Sequence, residues 1–122
     1  MKRVVYLACP YTHTDPFVRE ARFVFCARFA ASILKHDPDC VVYSPITHSH
    51  PIAVYGNLKG DYDFWKAQCL HFLPYCTEMI VLNIEGWKES VGVQDEIKQA
   101  AILEIPIEHI STEQAVALTR GI

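Results

Sequence analysis

The sequence predicts an α/β domain in which a parallel sheet of about four strands is covered on both faces by helices. Three observations favour this class. The length of 122 residues, 51% of them hydrophobic, suits one domain with a single core. Short apolar runs alternate with longer segments of helical spacing along the chain. These runs are continuously apolar, which is typical of parallel strands buried on both faces.

Four short segments, at residues 4–8, 40–44, 78–84 and 105–110, are the predicted strands. We place them in a flavodoxin-like or Rossmann-like three-layer domain that spans residues 1–122, with sheet order 2-1-3-4. In such sheets ligands bind beyond the carboxyl ends of the strands. The segments that follow the first three strands are therefore the places to look for a functional site.

Capping residues mark the predicted helix starts. Asp15 followed by Pro16 begins a helix that runs to about residue 35. Ser90 caps a helix to about residue 103, and Ser111 with Gln114 has the spacing of a capping box. A further helix covers about residues 61–75. The residues at helical spacing along the first helix, most of them apolar, include Phe17, Ala21, Val24, Phe25 and Arg28.

The segment PITHSHPIAVYGNLKG, residues 45–60, is predicted to be a long loop because it is rich in Pro, His and Gly. A loop of this length inside a compact domain is typical of a functional lid. Alternation would put His48 and His50 on one side of an extended chain, where they would contact a substrate or a metal. Because no third ligand stands at metal spacing, we predict no metal site.

Composition excludes several function classes. The formal net charge of −3 disfavours a protein that neutralises the phosphates of a long nucleic acid, although small anions remain possible. No segment approaches the roughly 20 apolar residues of a membrane span. Five cysteines without a C-x-x-C motif are predicted to be buried thiols in a reducing compartment, and we expect a cytoplasmic protein. The first loop lacks G-x-G-x-x-G, so NAD binding is not predicted.

The stretch SVGVQDE, residues 90–96, predicts an anion site at a helix N-terminus. Ser90 is the N-cap, and the amides of Val91 and Gly92 have no helical partner. Gly92 would let a ligand come close. Glu96 lies four residues later on the same face, so its carboxylate would point back at that ligand, whereas Asp95 is turned about 100° away.

Glu96 has two interpretations at this point. It is a first-turn acid that stabilises the helix dipole, worth ~0.3–1 kcal/mol, or it has a chemical use. Two neighbouring anions repel each other, so a carboxylate does not help to hold a phosphate. Nucleophilic attack is a use that a carboxylate in this place would serve.

The motifs VYLACPYT and GWKESVGVQDEIKQA resemble the nucleoside 2-deoxyribosyltransferase-like superfamily, most of all a small bacterial and phage branch of it. The resemblance runs from residue 4 to about residue 110. It implies that Glu96 is a nucleophile that attacks the anomeric carbon of a deoxyribosyl group, and that Tyr6 orients it. Water or a second base then resolves the glycosyl-enzyme intermediate. The alternative for Tyr6 is a half-buried strand residue with its hydroxyl at the sheet edge.

The same resemblance implies further site residues. Ser90 stands where the 5'-monophosphate N-hydrolases of the superfamily carry a phosphate-binding Ser and the base-exchanging transferases carry an Asp; the alternative is a plain N-cap. Where family members place an Asp that handles the leaving base, this chain has Cys69, for which Asp61 and Asp63 are candidate substitutes. By their position on the loops at the strand ends, and not from the resemblance, substrate contact is predicted for Pro10, Tyr11, His13, His48 and His50.

Two further features have competing interpretations. Asp61 and Asp63 would form a paired-carboxylate metal site or compensate a helix dipole. Trp65, Trp87 and Tyr62 would stack on a base, or Trp65 would fill the core or a subunit contact. The resemblance implies no metal or organic cofactor. It does imply that the protein forms a homodimer or a homotetramer.

These observations predict cleavage of the N-glycosidic bond of a nucleoside or nucleoside 5'-monophosphate. A nucleotide-binding module of the same fold without turnover is the alternative, and Cys69 is the residue that favours it. A flavin-type electron carrier is a third class, and no loop motif favours it.

Overall fold

Four parallel strands form the centre of the part of the chain that the structure describes, and five α-helices surround them. This computed structural model describes residues 2–58 and 61–122. The strands are β1 (Val4–Ala8), β2 (Val41–Tyr43), β3 (Glu78–Asn83) and β4 (Ile107–Ser111). The helices are α1 (Pro16–His36), α2 (Pro45–Gly56), α3 (Tyr62–His71), α4 (Val91–Ile102) and α5 (Thr112–Leu118), and a 3₁₀ turn, Leu73–Tyr75, follows α3.

The predicted sheet order 2-1-3-4 is confirmed. β1 and β3 lie in the centre, and every neighbouring pair of strands is parallel. Side chains alternate between the two faces of a strand. Val5 and Leu7 of β1 therefore lie in one apolar cluster, while Tyr6 and Ala8 lie in the cluster on the other face.

Helices cover both faces of the sheet. Phe29 of α1 and Ala115 of α5 pack in the cluster that contains Val5 and Leu7. On the other face, Val93 of α4 packs in the cluster that contains Tyr6. The three-layer α/β arrangement predicted from the sequence is thus confirmed, and it places Tyr6 beneath the helix that begins at Ser90.

The buried side of α1 is not the one that the sequence spacing suggested. Cys26, Phe29 and Ile33 are buried, whereas Phe17 and Val24 are exposed. Apolar residues occur on several sides of this helix, so spacing alone does not select one stripe. Across residues 2–58 and 61–122, no helix combines the length and the apolar character needed to cross a membrane.

The predicted loop of residues 45–60 is wrong over most of its length, because Pro45–Gly56 forms helix α2. Ser44 is the N-cap, and its hydroxyl accepts a hydrogen bond from the amide of Thr47. Pro45 stands at the first helical position, where its missing N–H costs nothing. Asn57 ends the helix in the left-handed conformation. Residues 59–60 of the predicted loop lie outside the described residues.

The predicted starts of three other helices are confirmed. The Asp15 carboxylate accepts from the amide of Phe17 at 2.9 Å. Ser90 Oγ accepts from the amide of Val93 at 3.2 Å, and Ser111 forms both bonds of a capping box. These caps fix where α1, α4 and α5 begin, and so fix which residues lie in the first turn of α4.

All five cysteines are buried free thiols, as predicted. Cys9 and Cys26 lie in the apolar cluster that contains Phe29, and Cys69 of α3 lies in a cluster with Ala53 of α2. Only Cys9 and Cys69 also face the cleft described below.

Candidate active site

A cleft of about 350 Å³ lies at the carboxyl end of β1. The segment after β1, the helices α2 and α3, and the first turns of α4 form its walls. Its volume falls within the range of about 300–1,000 Å³ that is typical of small-molecule sites. The position is the one that parallel sheets of this kind use for ligands.

Glu96 lies on the wall of this cleft and is only 5% exposed. It stands in the second turn of α4, on the side that faces β1. The hydroxyl of Tyr6, the third residue of β1, donates a hydrogen bond to Glu96 Oε2. Tyr6 is fully buried, so its alternative interpretation as a half-buried edge residue is wrong. The predicted contact between Tyr6 and Glu96 is confirmed.

Burial changes the protonation of this pair. It raises the pKa of the Glu96 carboxyl to about 8 from an ordinary 4.5, although the hydrogen bond from Tyr6 lowers that pKa. The negative charge of Asp95 raises it further. Burial and the Glu96 charge also raise the pKa of Tyr6, which stays a phenol. Glu96 therefore titrates close to neutral pH, so that both its protonated and its ionised forms are populated there.

A second acceptor near Tyr6 accommodates both forms of Glu96. The Tyr6 hydroxyl also lies 3.3 Å from the main-chain carbonyl oxygen of Cys69. With Glu96 ionised, the phenol donates to the carboxylate. With Glu96 protonated, the carboxyl donates to the phenol oxygen and the phenol donates to the Cys69 carbonyl. Both forms keep Glu96 Oε2 and the Tyr6 hydroxyl hydrogen-bonded, and so avoid the ~1–3 kcal/mol that an unpaired buried polar group costs.

The first turn of α4 contributes Ser90, Val91 and Gly92 to the cleft wall. Ser90 is the N-cap, as predicted. Gly92 has a role that the sequence did not reveal: a Cβ at this position would come within 2.9 Å of Cδ1 of Tyr62. The space beside Gly92 is therefore occupied by the Tyr62 ring. Tyr62 in turn donates to Asp95 Oδ2 at 2.8 Å.

Gly92→Ala is expected to destabilise the protein by ~1–3 kcal/mol, because the added methyl group collides with a ring that Asp95 holds in place. Urea denaturation measures this change. In a Tyr62→Ala background the same substitution is expected to be neutral or stabilising, since alanine has the higher helix propensity. An equal cost in both backgrounds would contradict the packing explanation.

Cys69 lines the cleft and is buried. Burial, together with the charge of Glu96, raises the pKa of its thiol to about 12. A thiol with this pKa stays protonated at neutral pH and is a weak proton donor. Its neighbour Trp65 is also buried, packs with Ala53 and Cys69, and forms part of the cleft wall.

Asp61 and Asp63 both line the cleft at the start of α3. The Asp61 carboxylate caps the helix by accepting from the amide of Phe64 at 3.0 Å. This supports the capping interpretation of Asp61, and Asp63 is the acid left free of that duty. Among the described residues, no group of three or more His, Cys, Asp or Glu side chains has an arrangement that could hold a metal ion.

Tyr11 and His50 lie together on the cleft wall. The Tyr11 hydroxyl is 2.5 Å from His50 Nδ1, and His50 Nε2 is 2.5 Å from Oε2 of Glu20 in α1. No sequence pattern marks Glu20 as a site residue. Its contact depends on residues 45–56 being helical, and no local motif in α1 signals it.

Two predicted substrate contacts are wrong in position. His48 and His50 are two residues apart on a helix, so they point about 200° apart instead of to one side. His50 is buried in the cleft wall, whereas His48 is exposed and borders a separate shallow hollow beside Phe64. Pro10 is fully buried and is not part of the cleft wall.

The protein is thus a three-layer α/β domain that holds a buried carboxyl–phenol pair in a cleft at the strand ends. The chain belongs to the family described as "Domain of unknown function (DUF1937)", whose model matches residues 3–112. No curated protein matches the chain.

Proposed function

We propose that this protein cleaves the N-glycosidic bond of a nucleoside or nucleoside 5'-monophosphate, with Glu96 as the nucleophile. The observation that carries the proposal is the buried Glu96 carboxyl in the cleft, hydrogen-bonded by Tyr6. A carboxylate removed from water and held by one donor is poised for attack on an electron-poor carbon. The resemblance to the nucleoside 2-deoxyribosyltransferase-like superfamily supports the same assignment, and we propose membership in it.

The reaction has two steps. The ionised Glu96 oxygen forms a bond to the anomeric carbon while the bond from that carbon to the base nitrogen breaks, and the base takes the electron pair. The carboxylate stabilises positive charge that develops on the sugar in the transition state. Water, or a second base, then attacks the same carbon and releases Glu96. Tyr6 holds the carboxylate in position throughout.

Charge around the cleft bears on whether the substrate carries a phosphate. The N-terminus of α4, with Ser90 as its neutral cap, supports a 5'-phosphate. Four carboxyl groups on the cleft wall, those of Asp61, Asp63, Glu89 and Glu96, oppose one. We therefore keep nucleosides and their monophosphates as one substrate class and separate them by experiment.

The first experiment is a panel of deoxynucleosides and their 5'-monophosphates, with chromatographic detection of free base. Ser90→Asp keeps a good N-cap but adds a negative charge. If the phosphate binds at this helix end, the substitution is expected to lower kcat/KM for monophosphates at least tenfold, while nucleosides and the free energy of unfolding change little. Equal effects on both substrate types would contradict a phosphate site at Ser90.

A nucleotide-binding module without turnover is the second candidate, and the Cys69 thiol favours it because it stands where the superfamily places an acid. Calorimetric binding of a panel member without release of base by the wild-type protein would select this alternative. By analogy with the superfamily, we also propose a cytoplasmic homodimer or homotetramer, which light scattering would test.

A further inference from the structure

Glu20, His50 and Tyr11 form a continuous chain of hydrogen bonds that ends in the cleft. His50 is 6% exposed and stands between the Glu20 carboxylate and the Tyr11 hydroxyl, 2.5 Å from each. Phe23 stacks on the imidazole with ring centroids 4.4 Å apart. Glu20 is 58% exposed, so the chain runs from solvent to the cleft wall.

This arrangement suits two protonation states of His50 without movement of any heavy atom. In the neutral state Nε2–H donates a hydrogen bond to Glu20, and Nδ1 accepts a hydrogen bond from the Tyr11 hydroxyl. In the cationic state Nδ1–H donates to the Tyr11 oxygen, and the Tyr11 proton is free to point into the cleft. Burial raises the pKa of Tyr11, so its hydroxyl is protonated at neutral pH, and it passes that proton on only where the cationic His50 gives a proton to its oxygen in return.

The proposed reaction needs such a donor, because a departing base is a poor leaving group until it gains a proton. Glu96 is occupied as the nucleophile. Cys69 is a weak donor at its raised pKa of about 12, the Asp61 carboxylate accepts from a helix amide, and Asp63 on the cleft wall is the competing donor. Tyr11 lines the cleft, and its hydroxyl is backed by a buried imidazole and a carboxylate.

We propose that Tyr11 protonates the leaving base and that His50 and Glu20 supply and hold the proton; this inference rests on the proposed function. As the anomeric carbon moves from the base nitrogen to Glu96, the Tyr11 proton passes to the base. The Nδ1 proton of His50 passes to the Tyr11 oxygen, and His50 becomes neutral.

The second step restores the relay. Water attacks the anomeric carbon, and its proton passes to Tyr11 while the Tyr11 proton returns to His50 Nδ1. Glu96 leaves as a carboxylate. The sum is addition of water across one glycosidic bond, so protons and electrons balance without a further reactant. Tyr11 is then a catalytic residue, and His50 and Glu20 are positioning residues.

Comparison of leaving groups tests the relay. Tyr11→Phe is expected to lower kcat for a purine deoxynucleoside about 10²–10⁴-fold, the usual worth of general acid catalysis. For 4-nitrophenyl 2-deoxyriboside, whose leaving group departs without a proton, the decrease in kcat is expected to stay below tenfold. Tyr55→Phe, at a residue that is 91% exposed and outside the cleft, is the control.

Each outcome decides the matter. Equal losses on both substrates would make Tyr11 a structural residue and overturn the relay, as would an unchanged rate on the purine substrate. These results leave the Glu96 proposal intact if the wild-type protein still releases base. If the wild-type protein releases base from no substrate, the proposed function and the relay fall together.

The role of Glu20 has its own test. Glu20→Gln keeps an acceptor for Nε2–H and is expected to retain more activity than Glu20→Ala. Nitrogen NMR of the His50 ring is expected to show the Nε2–H tautomer in the neutral state, with the preference lost in Glu20→Ala and kept in the surface control Glu108→Gln. A neutral Nδ1–H tautomer in the wild-type protein would overturn the proposed direction of proton flow.

Discussion

Glu96→Gln is expected to lower the rate of base release at least about 10³-fold, because an amide oxygen cannot form the glycosyl ester. The change is nearly isosteric, so binding of the substrate is expected to persist. The measurement is single-turnover release of free base from the best substrate of the panel. Asp95→Asn is the matched control, since its carboxylate lies next in sequence but contacts Tyr62 and Lys66.

The two variants separate a nucleophile from a general effect of charge in the cleft. We expect Asp95→Asn to remain within about tenfold of the wild-type rate. Full activity in Glu96→Gln would remove Glu96 from the chemistry. Comparable losses in both variants would indicate that negative charge near the first turns of α4, and not the Glu96 oxygen, is what the reaction needs.

The second large effect concerns stability. Burial raises the pKa of Glu96 in the folded protein to about 8, whereas an exposed carboxyl in the unfolded chain titrates near 4.5. Between these values the folded state holds a proton that the unfolded state has released. The stabilising contribution of Glu96 is thus complete below pH ~4.5 and is lost as the pH rises through about 8. At about 1.4 kcal/mol per pKa unit, the change amounts to a few kcal/mol.

Glu96→Gln removes this titration. We expect the variant to be about as stable as the wild-type protein at pH 5 and more stable by a few kcal/mol at pH 9, measured by urea denaturation at both values. All other groups titrate in both proteins, so the difference between their free energies of unfolding reports the titration of Glu96 alone. A variant that is less stable than wild type at pH 9 would show that the ionised carboxylate is well solvated or well paired.

These two results would be independent of each other. The pH dependence of stability reports how deeply the carboxyl is buried, and it needs no substrate. The loss of base release reports chemistry. If the predicted pH dependence of stability is found but no base is released, the protein is a binding module with a buried, neutral Glu96.

Local signals predicted most of the fold. Continuously apolar runs located β1 and β3, and Asp15, Ser90 and Ser111 marked helix starts correctly because each caps with its own side chain. The prediction of a loop at residues 45–60 was wrong because it rested on Pro, His and Gly, which are typical of loops. In the structure Pro45 occupies the one helical position that needs no N–H, so a residue that suggested a loop begins a helix.

The site was predictable only where helical spacing was known. Glu96 and Tyr6 meet because α4 follows β3, β3 lies beside β1, and a residue in the second turn of α4 faces back toward its N-terminus. The partnership of His50 with Glu20 depends on the packing of α2 against α1. Such a contact between two distant helices leaves no pattern in either segment, and the error on α2 hid it.

Trapping of the glycosyl-enzyme intermediate would show whether Glu96 is the nucleophile. Fluorine at the 2'-position of the best substrate withdraws electrons and destabilises the cationic transition state, which slows breakdown of the ester. Mass spectrometry of the digested protein is expected to find one sugar adduct, on the Glu96 carboxyl of the wild-type protein and absent from Glu96→Gln. Release of base with no adduct on Glu96, or with the adduct on another residue, would contradict the account.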